Sequence, residues 1–128
     1  MRSHPSTLIY SRKVGKCGRG VFALSPIKKG AVIEECPVIV ISKKDYKEIA
    51  KTVVSSYVFC WGKDDSLAAL ALGFGGLYNH AVSPNAAFSK RISTGEIVFR
   101  ALRDIKMHEE IRIDYGYPSA DNYVGFIL

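Results

Sequence analysis

The chain is poor in features that would staple it, anchor it or give it a metal centre. It has three cysteines, Cys17, Cys36 and Cys60, with no CxxC pair. An odd, widely spaced set argues against a disulfide framework and a structural zinc site, and suits a reducing compartment such as the cytosol. The histidines His4, His80 and His108 lack metal-binding spacing, so no metal is expected. No apolar run approaches the ~18 residues of a membrane span. The longest apolar-rich stretch, Leu67 to Leu77, is broken by Gly73, Gly75 and Gly76. Arg2 supplies early charge without an extended apolar region behind it, so neither a signal peptide nor a membrane partner is expected. GxSxG, HExxH and P-loop patterns are missing, which removes three large enzyme classes.

What is present suits one domain, residues 1–128. The chain is 48% hydrophobic and 23% charged, the balance of a soluble globular protein with a modest core. The formal net charge is +6. The basic residues fall in small groups (Arg12-Lys13, Lys28-Lys29, Lys43-Lys44) without the aromatic interleaving of a nucleic-acid reader. A solvated basic surface explains them, and direct nucleic-acid binding is not expected.

The pattern along the chain is mainly β. Residues 7–14 alternate loosely and read as a strand. Val21 to Leu24 follows a glycine turn. Ala31 to Ile41 is rich in β-branched residues, with Pro37 predicting a break, bulge or edge. Ser42 to Tyr57 is the best helix candidate: Ser42 suits an N-cap, and Tyr46, Ile49, Ala50 and Val53 share a face. Strand character returns at Tyr57 to Trp61. Leu67 to Leu72 reads as strand, although its Ala-Leu content also allows helix. Phe88 to Ile92 and Glu96 to Leu102 flank Ser93-Thr94-Gly95, a hairpin signal. Glu110 to Tyr115 alternates, with Ile111, Ile113 and Tyr115 on one face. SPIKKGAVIEE, from Ser25, and RDIKMHEEIRI, from Arg103, echo one another faintly; shared hairpin chemistry is explanation enough.

Three motifs carry chemistry. In Cys17-Gly18-Arg19-Gly20 the glycines let backbone approach a ligand. Alone, this reads rather as an ordinary tight turn. The stretch YNHAVSPNAAF holds Asn79 and His80, whose amide and imidazole both donate and accept hydrogen bonds. Alone, they read rather as a turn Asn and a satisfied His. EEIRIDYG, from Glu109 to Gly116, ends in Tyr115, either a core tyrosine or a phenol aimed at a reacting centre. Glu109 and Glu110 point to opposite faces of a strand and so make no carboxylate dyad.

Together and in this order, the motifs resemble the SET-domain protein lysine methyltransferases. The resemblance runs from about Leu8 to Tyr117. It implies a SET fold: several short β-sheets around a C-terminal pseudo-knot, with one short helix in a substrate-selecting insert, about residues 42–61. It implies S-adenosylmethionine as methyl donor, held by Gly18, Arg19, Gly20, Asn79, His80 and Tyr115. Asn85 of the NHxxxPN pattern is expected to order the turn. Tyr115 is implied to be catalytic, its hydroxyl orienting the transferred methyl through CH···O contacts. Tyr57, Phe88, Ile113 and Tyr117 are implied to line a lysine channel, with Tyr123 a further aromatic candidate; core packing is the alternative for each aromatic. A Phe at position 88 leans toward multiple methylation. Two positions depart from the family: Ala81 stands where a Ser is common after the His, and His108 replaces a Gly before the paired Glu.

Residues 117–128 hold no cysteine, so a zinc-bound module directly after the domain is not expected. The tail, residues 117–128, is expected to take its place, or a second subunit does. The small viral SET histone methyltransferase has a similar layout and works as a homodimer, so a homodimer is expected here. The substrate is a protein with an exposed lysine, of histone or chromatin-like kind, and the location is cytoplasmic, or nuclear if the target is a histone. The alternative reading is a SET-like module that binds peptide or cofactor without catalysis.

Overall fold

The computed structural model describes residues 4–16 and 18–116. Cys17 and the tail with Tyr117, Tyr123 and Phe126 lie outside these residues. The chain forms strands β1 (Ile9–Lys13), β2 (Arg19–Ala23) and β3 (Val32–Ile41), helix α1 (Lys43–Ile49), then β4 (Val58–Trp61), β5 (Leu67–Ala71), β6 (Asn79–His80), β7 (Ala86–Arg91), β8 (Glu96–Ala101) and β9 (Glu110–Ile113). A four-stranded sheet has the order β1-β2-β9-β6, and a five-stranded sheet the order β4-β5-β3-β8-β7. The mainly β expectation holds, and Leu67–Ala71 is strand.

Two apolar clusters hold the sheets. The larger gathers Val21, Ile33, Phe59, Tyr78, Ile97, Phe99, Ile105, Ile111 and Ile113 between them. The smaller packs α1 through Tyr46 on Ile41, Val58, Cys60 and Ala68. Cys36 and Cys60 are buried free thiols. Alternation in β9 runs as the sequence predicts: Ile111 and Ile113 are fully buried while Arg112 is exposed.

Two elements differ from expectation. The helix is shorter than residues 42–57. Ser42 does cap it, its Oγ accepting the Asp45 N–H at 3.1 Å. Thr52 then ends it: both its N–H and its Oγ1 donate to the Ile49 carbonyl, a local bond that competes with helix continuation. A 3-10 turn over Val53–Tyr57 follows, and Val53, assigned to the apolar face, is 72% exposed. Nor does Pro37 break β3. Residues 32–37 pair with β8 and residues 38–41 with β5. Pro37 thus sits where the strand exchanges partners, its carbonyl accepting from Leu72 N. The irregularity in pairing falls earlier, between Val32 and Glu34.

Candidate active site

The two C-terminal motifs meet in a two-residue parallel ladder. Asn79 pairs with Arg112 and His80 with Ile113, and the Ala81 N–H continues it to the Ile113 carbonyl. β9 therefore runs between β2 and β6, and the glycine turn, Asn79-His80 and Tyr115 converge on one end of the small sheet. Asn85 locks the arrangement. It is buried; its Oδ1 accepts the Arg112 N–H at 2.8 Å, and its Nδ2 donates to the Glu110 carbonyl at 2.8 Å.

On one side of this junction lies a cleft of about 240 Å³, lined by Val14, Gly18, Arg19, Asn79, Glu110 and Arg112. The Asn79 Nδ2 donates to Glu110 Oε2 at 2.7 Å and to the Arg19 carbonyl at 3.4 Å. Arg112 grips the other Glu110 oxygen through Nε at 3.1 Å and Nη2 at 2.8 Å. Gly20 makes the close approach possible: a Cβ there would lie 2.7 Å from Glu110 Oε2 and 3.1 Å from Asn79 Nδ2. Carboxylate, carbonyl, carboxamide and guanidinium thus face one cleft. That donor and acceptor set fits a ligand with both a cationic and an anionic end, as S-adenosylmethionine has.

On the other side is a narrow slot lined by Ser56, Tyr57, Val58, Phe59, Gly75, Gly76, Tyr78 and Tyr115. Its free volume, about 10 Å³, is close to the minimum for one water, so its walls part for anything larger. The Tyr115 hydroxyl donates to the Tyr78 carbonyl. The Tyr115 N–H donates to His80 Nδ1 at 3.0 Å. In that bond Nδ1 is the acceptor, and the Asp114 carboxylate lies 3.8 Å from the same nitrogen. Tyr78 is buried, its ring stacked on Phe99 at 4.3 Å. Burial, then the Glu34 carboxylate, pushes its phenol well above the usual value, so it stays a donor.

A family model for the SET domain matches residues 18–116. The chain belongs to the SET-domain family. A histone-lysine N-methyltransferase of Schizosaccharomyces pombe, specific for lysine 37 of histone H3, is 39% identical over 106 residues, covering 82% of this chain and 71% of that protein. A crystal structure of a Plasmodium falciparum protein described as a histone methyltransferase superposes with a TM-score of 0.69 at 30% identity, covering 91% of this chain and 97% of the other. A SET8 protein of Cryptosporidium gives 0.68 at 27% identity, over 88% of this chain and 58% of that one. The expected family, fold and activity agree with these findings: a SET-domain protein-lysine methyltransferase.

The site residues distribute unevenly. Gly18, Arg19 and Asn79 line the cleft, with Gly20 beneath; Tyr57 and Tyr115 line the slot. Ile113 does not reach the slot: it is fully buried in the main core, because β9 alternation turns it inward with Ile111. Phe88 stands one ring behind, edge-on to Phe59 at 5.2 Å, and Phe59 takes the wall. Among the described residues, sequence reasoning missed Glu110, Arg112, Phe59 and Tyr78. Glu110 and Arg112 were legible as the outward positions of the strand that delivers Tyr115. Tyr78 directly precedes Asn79, but nothing local marks its carbonyl as an acceptor.

Proposed function

We propose that the cleft holds S-adenosylmethionine, that the slot admits the lysine of a histone or similar chromatin protein, and that Tyr115 serves methyl transfer where the two meet. The observation that carries this reading is the Tyr115 hydroxyl bonded to the Tyr78 carbonyl at the slot wall, with Tyr78 adjoining Asn79, whose ladder partner Arg112 lines the cleft. The bound cofactor supplies a methyl group activated by a sulfonium. Glu110 and the Arg19 carbonyl accept from its cationic end, and Arg112 and Arg19 balance its carboxylate. Two oxygens, the Tyr115 hydroxyl and the Tyr78 carbonyl, stand at the slot wall to orient a methyl group by CH···O contact. Catalysis is then mostly alignment. The aromatic walls Tyr57, Phe59 and Tyr78 disfavour an ammonium, which lowers the lysine pKa from its free value of ~10.4. His80 holds the Tyr115 backbone in place.

The histone reading draws support from the H3-directed relative, and with it a nuclear location. Residues 42–61 serve as the substrate-selecting insert: Ser56, Tyr57, Val58 and Phe59 of the slot lie in it. A homodimer is our reading of the assembly, with the partner completing the channel; a strictly monomeric mass by light scattering at micromolar protein counts against it. Among the described residues no group of three His, Cys, Asp or Glu side chains is placed to hold an ion, and no helix is long and apolar enough to cross a membrane.

The test is methyl transfer to core histones with labelled S-adenosylmethionine. Tyr115→Phe is expected to lower kcat by about tenfold or more, a barrier change of ~1.4 kcal/mol or above, while calorimetric cofactor affinity changes little. Undiminished transfer removes Tyr115 from this role. Cofactor binding by the unaltered protein without transfer to any protein supports a binding module instead.

A further inference from the structure

The slot has one wall built from a loop, and the two ends of that loop return to a single carboxylate. Glu34 lies on β3 and is only 6% exposed. Its Oε2 accepts the Phe74 N–H at 2.9 Å, and its Oε1 accepts the Tyr78 hydroxyl at 2.7 Å. Between these anchors run Gly75 and Gly76, both in the slot wall. The loop is pressed close: a Cβ on Gly75 would lie 2.6 Å from Ala71 Cβ and 3.0 Å from Cys36 Sγ, and one on Gly76 would lie 3.1 Å from the Tyr57 carbonyl. The Cys36 thiol also faces Glu34, and burial followed by that carboxylate raises its pKa far above the ordinary range, which keeps it neutral.

The far anchor matters for chemistry because of where Tyr78 lies. The carbonyl that accepts the Tyr115 hydroxyl belongs to Tyr78, one residue ahead of the parallel ladder that begins at Asn79, and shares a planar peptide with the Asn79 N–H; the Tyr78 side chain supplies further anchors. Tyr78 is held by its side chain: the ring by stacking on Phe99, the hydroxyl by Glu34. An apolar residue at 34 would leave the Phe74 amide and Tyr78 hydroxyl without that acceptor in a buried place, and the loop would shift to satisfy them.

We propose that Glu34 is a positioning residue for methyl transfer: by clamping both ends of the Phe74–Tyr78 loop it fixes the width of the slot and the carbonyl that aims the Tyr115 hydroxyl. It touches neither the cleft nor, by this account, the reacting atoms, and acts through Tyr78. The inference rests on the assignment of the slot to lysine.

The test uses the full chain with Tyr78→Phe, Glu34→Gln and the double variant. Tyr78→Phe removes one anchor and keeps the ring. Glu34→Gln keeps the shape and one oxygen acceptor. Each single variant is expected to hold S-adenosylmethionine affinity within about twofold by calorimetry, because Glu34 does not line that cleft. Each is expected to lower kcat on core histones by about tenfold or more, since small misplacements at a reacting centre are costly. The double variant is expected to fall no further than the worse single, because both break one linkage. Single-variant kcat within twofold of the parent, or losses that multiply in the double, overturn the clamp. Where Glu34→Gln does not fold, Tyr78→Phe decides alone. Hydrogen exchange needs no substrate and so separates this inference from the lysine assignment. The amides of Gly75, Gly76 and Leu77 should exchange faster in Tyr78→Phe while those of β8 do not; unchanged loop exchange overturns the clamp even if the parent methylates histones, whereas faster loop exchange in a protein that methylates none places the failure in the lysine assignment and not in the clamp.

Discussion

At the scale of single residues, the polar side chains behind the site do more holding than reacting. Asn85 is the clearest case. Its two bonds to the β9 backbone are buried and local to nothing in sequence, joining positions 25 and 27 residues apart. Asn85→Ala leaves a carbonyl and an amide without partners, at a cost of ~2–4 kcal/mol in total; urea denaturation should show the loss directly. Glu109 gives a pH signature. The Arg103 guanidinium, first, and then the Lys106 and Asn85 donors hold its carboxyl down at about 2, against the opposing effect of burial. A carboxyl whose folded pKa is depressed stabilises the fold above its unfolded value and loses that contribution as pH falls through the folded one. Stability should therefore decline as pH drops from about 4.5 toward 2, and Glu109→Gln should decline less over that interval in acid titrations followed by circular dichroism. The sequence made Asn79, His80 and Tyr115 legible because they sit in ordered motifs. It did not separate their jobs: His80 supports Tyr115 with its ring, whereas Asn79 faces the cleft.

At the scale of elements, local signals worked where one residue's chemistry decides. Ser42 starts the helix because its hydroxyl meets an otherwise unsatisfied N–H. The β7–β8 hairpin turns at Gly95, whose φ of +75° is left-handed, with nothing within 4 Å of a prospective Cβ. The cost of a side chain there is conformational only. Gly95→Ala should destabilise the domain by about 1–2 kcal/mol, and Gly95→Asn by less, read as the order of their melting temperatures. His108 shows the opposite case. It takes φ +65° without being glycine, in a turn where the family usually has one, and its ring meets the Tyr10 hydroxyl at 3.0 Å. The apolar period through Val53 misled, because spacing alone does not register that Thr52 bonds its own preceding turn. Pro37 misled because a strand that changes partners at one residue needs no N–H from it, and that exchange is invisible along the chain.

At the scale of the whole molecule, the faint echo between the segments after Ser25 and Arg103 gains a meaning. Ile27 and Ile105, the matching residues, form an antiparallel bridge, each N–H donating to the other's carbonyl at 2.9 and 2.8 Å. Both are buried in the main core. The bridge ties the turn before β3 to the turn before β9, and so helps bring Tyr115 to the site. Ile27→Ala and Ile105→Ala should each cost about 2–5 kcal/mol. Because they pair directly across the bridge, a double-mutant cycle in denaturant should show coupling of ~0.5–3 kcal/mol rather than simple addition. By itself the sequence determined the period-2 strands, the capped helix start, the hairpin glycine and the identity of the motif residues, because each is set by neighbours within a few positions. Only the tertiary structure decided that β9 would lie between β2 and β6, that Phe59 would face the slot with Phe88 behind it, and that Glu34 would hold the loop before Asn79. Those outcomes depend on which distant strands bury each other's apolar faces, and that choice is a property of the whole chain.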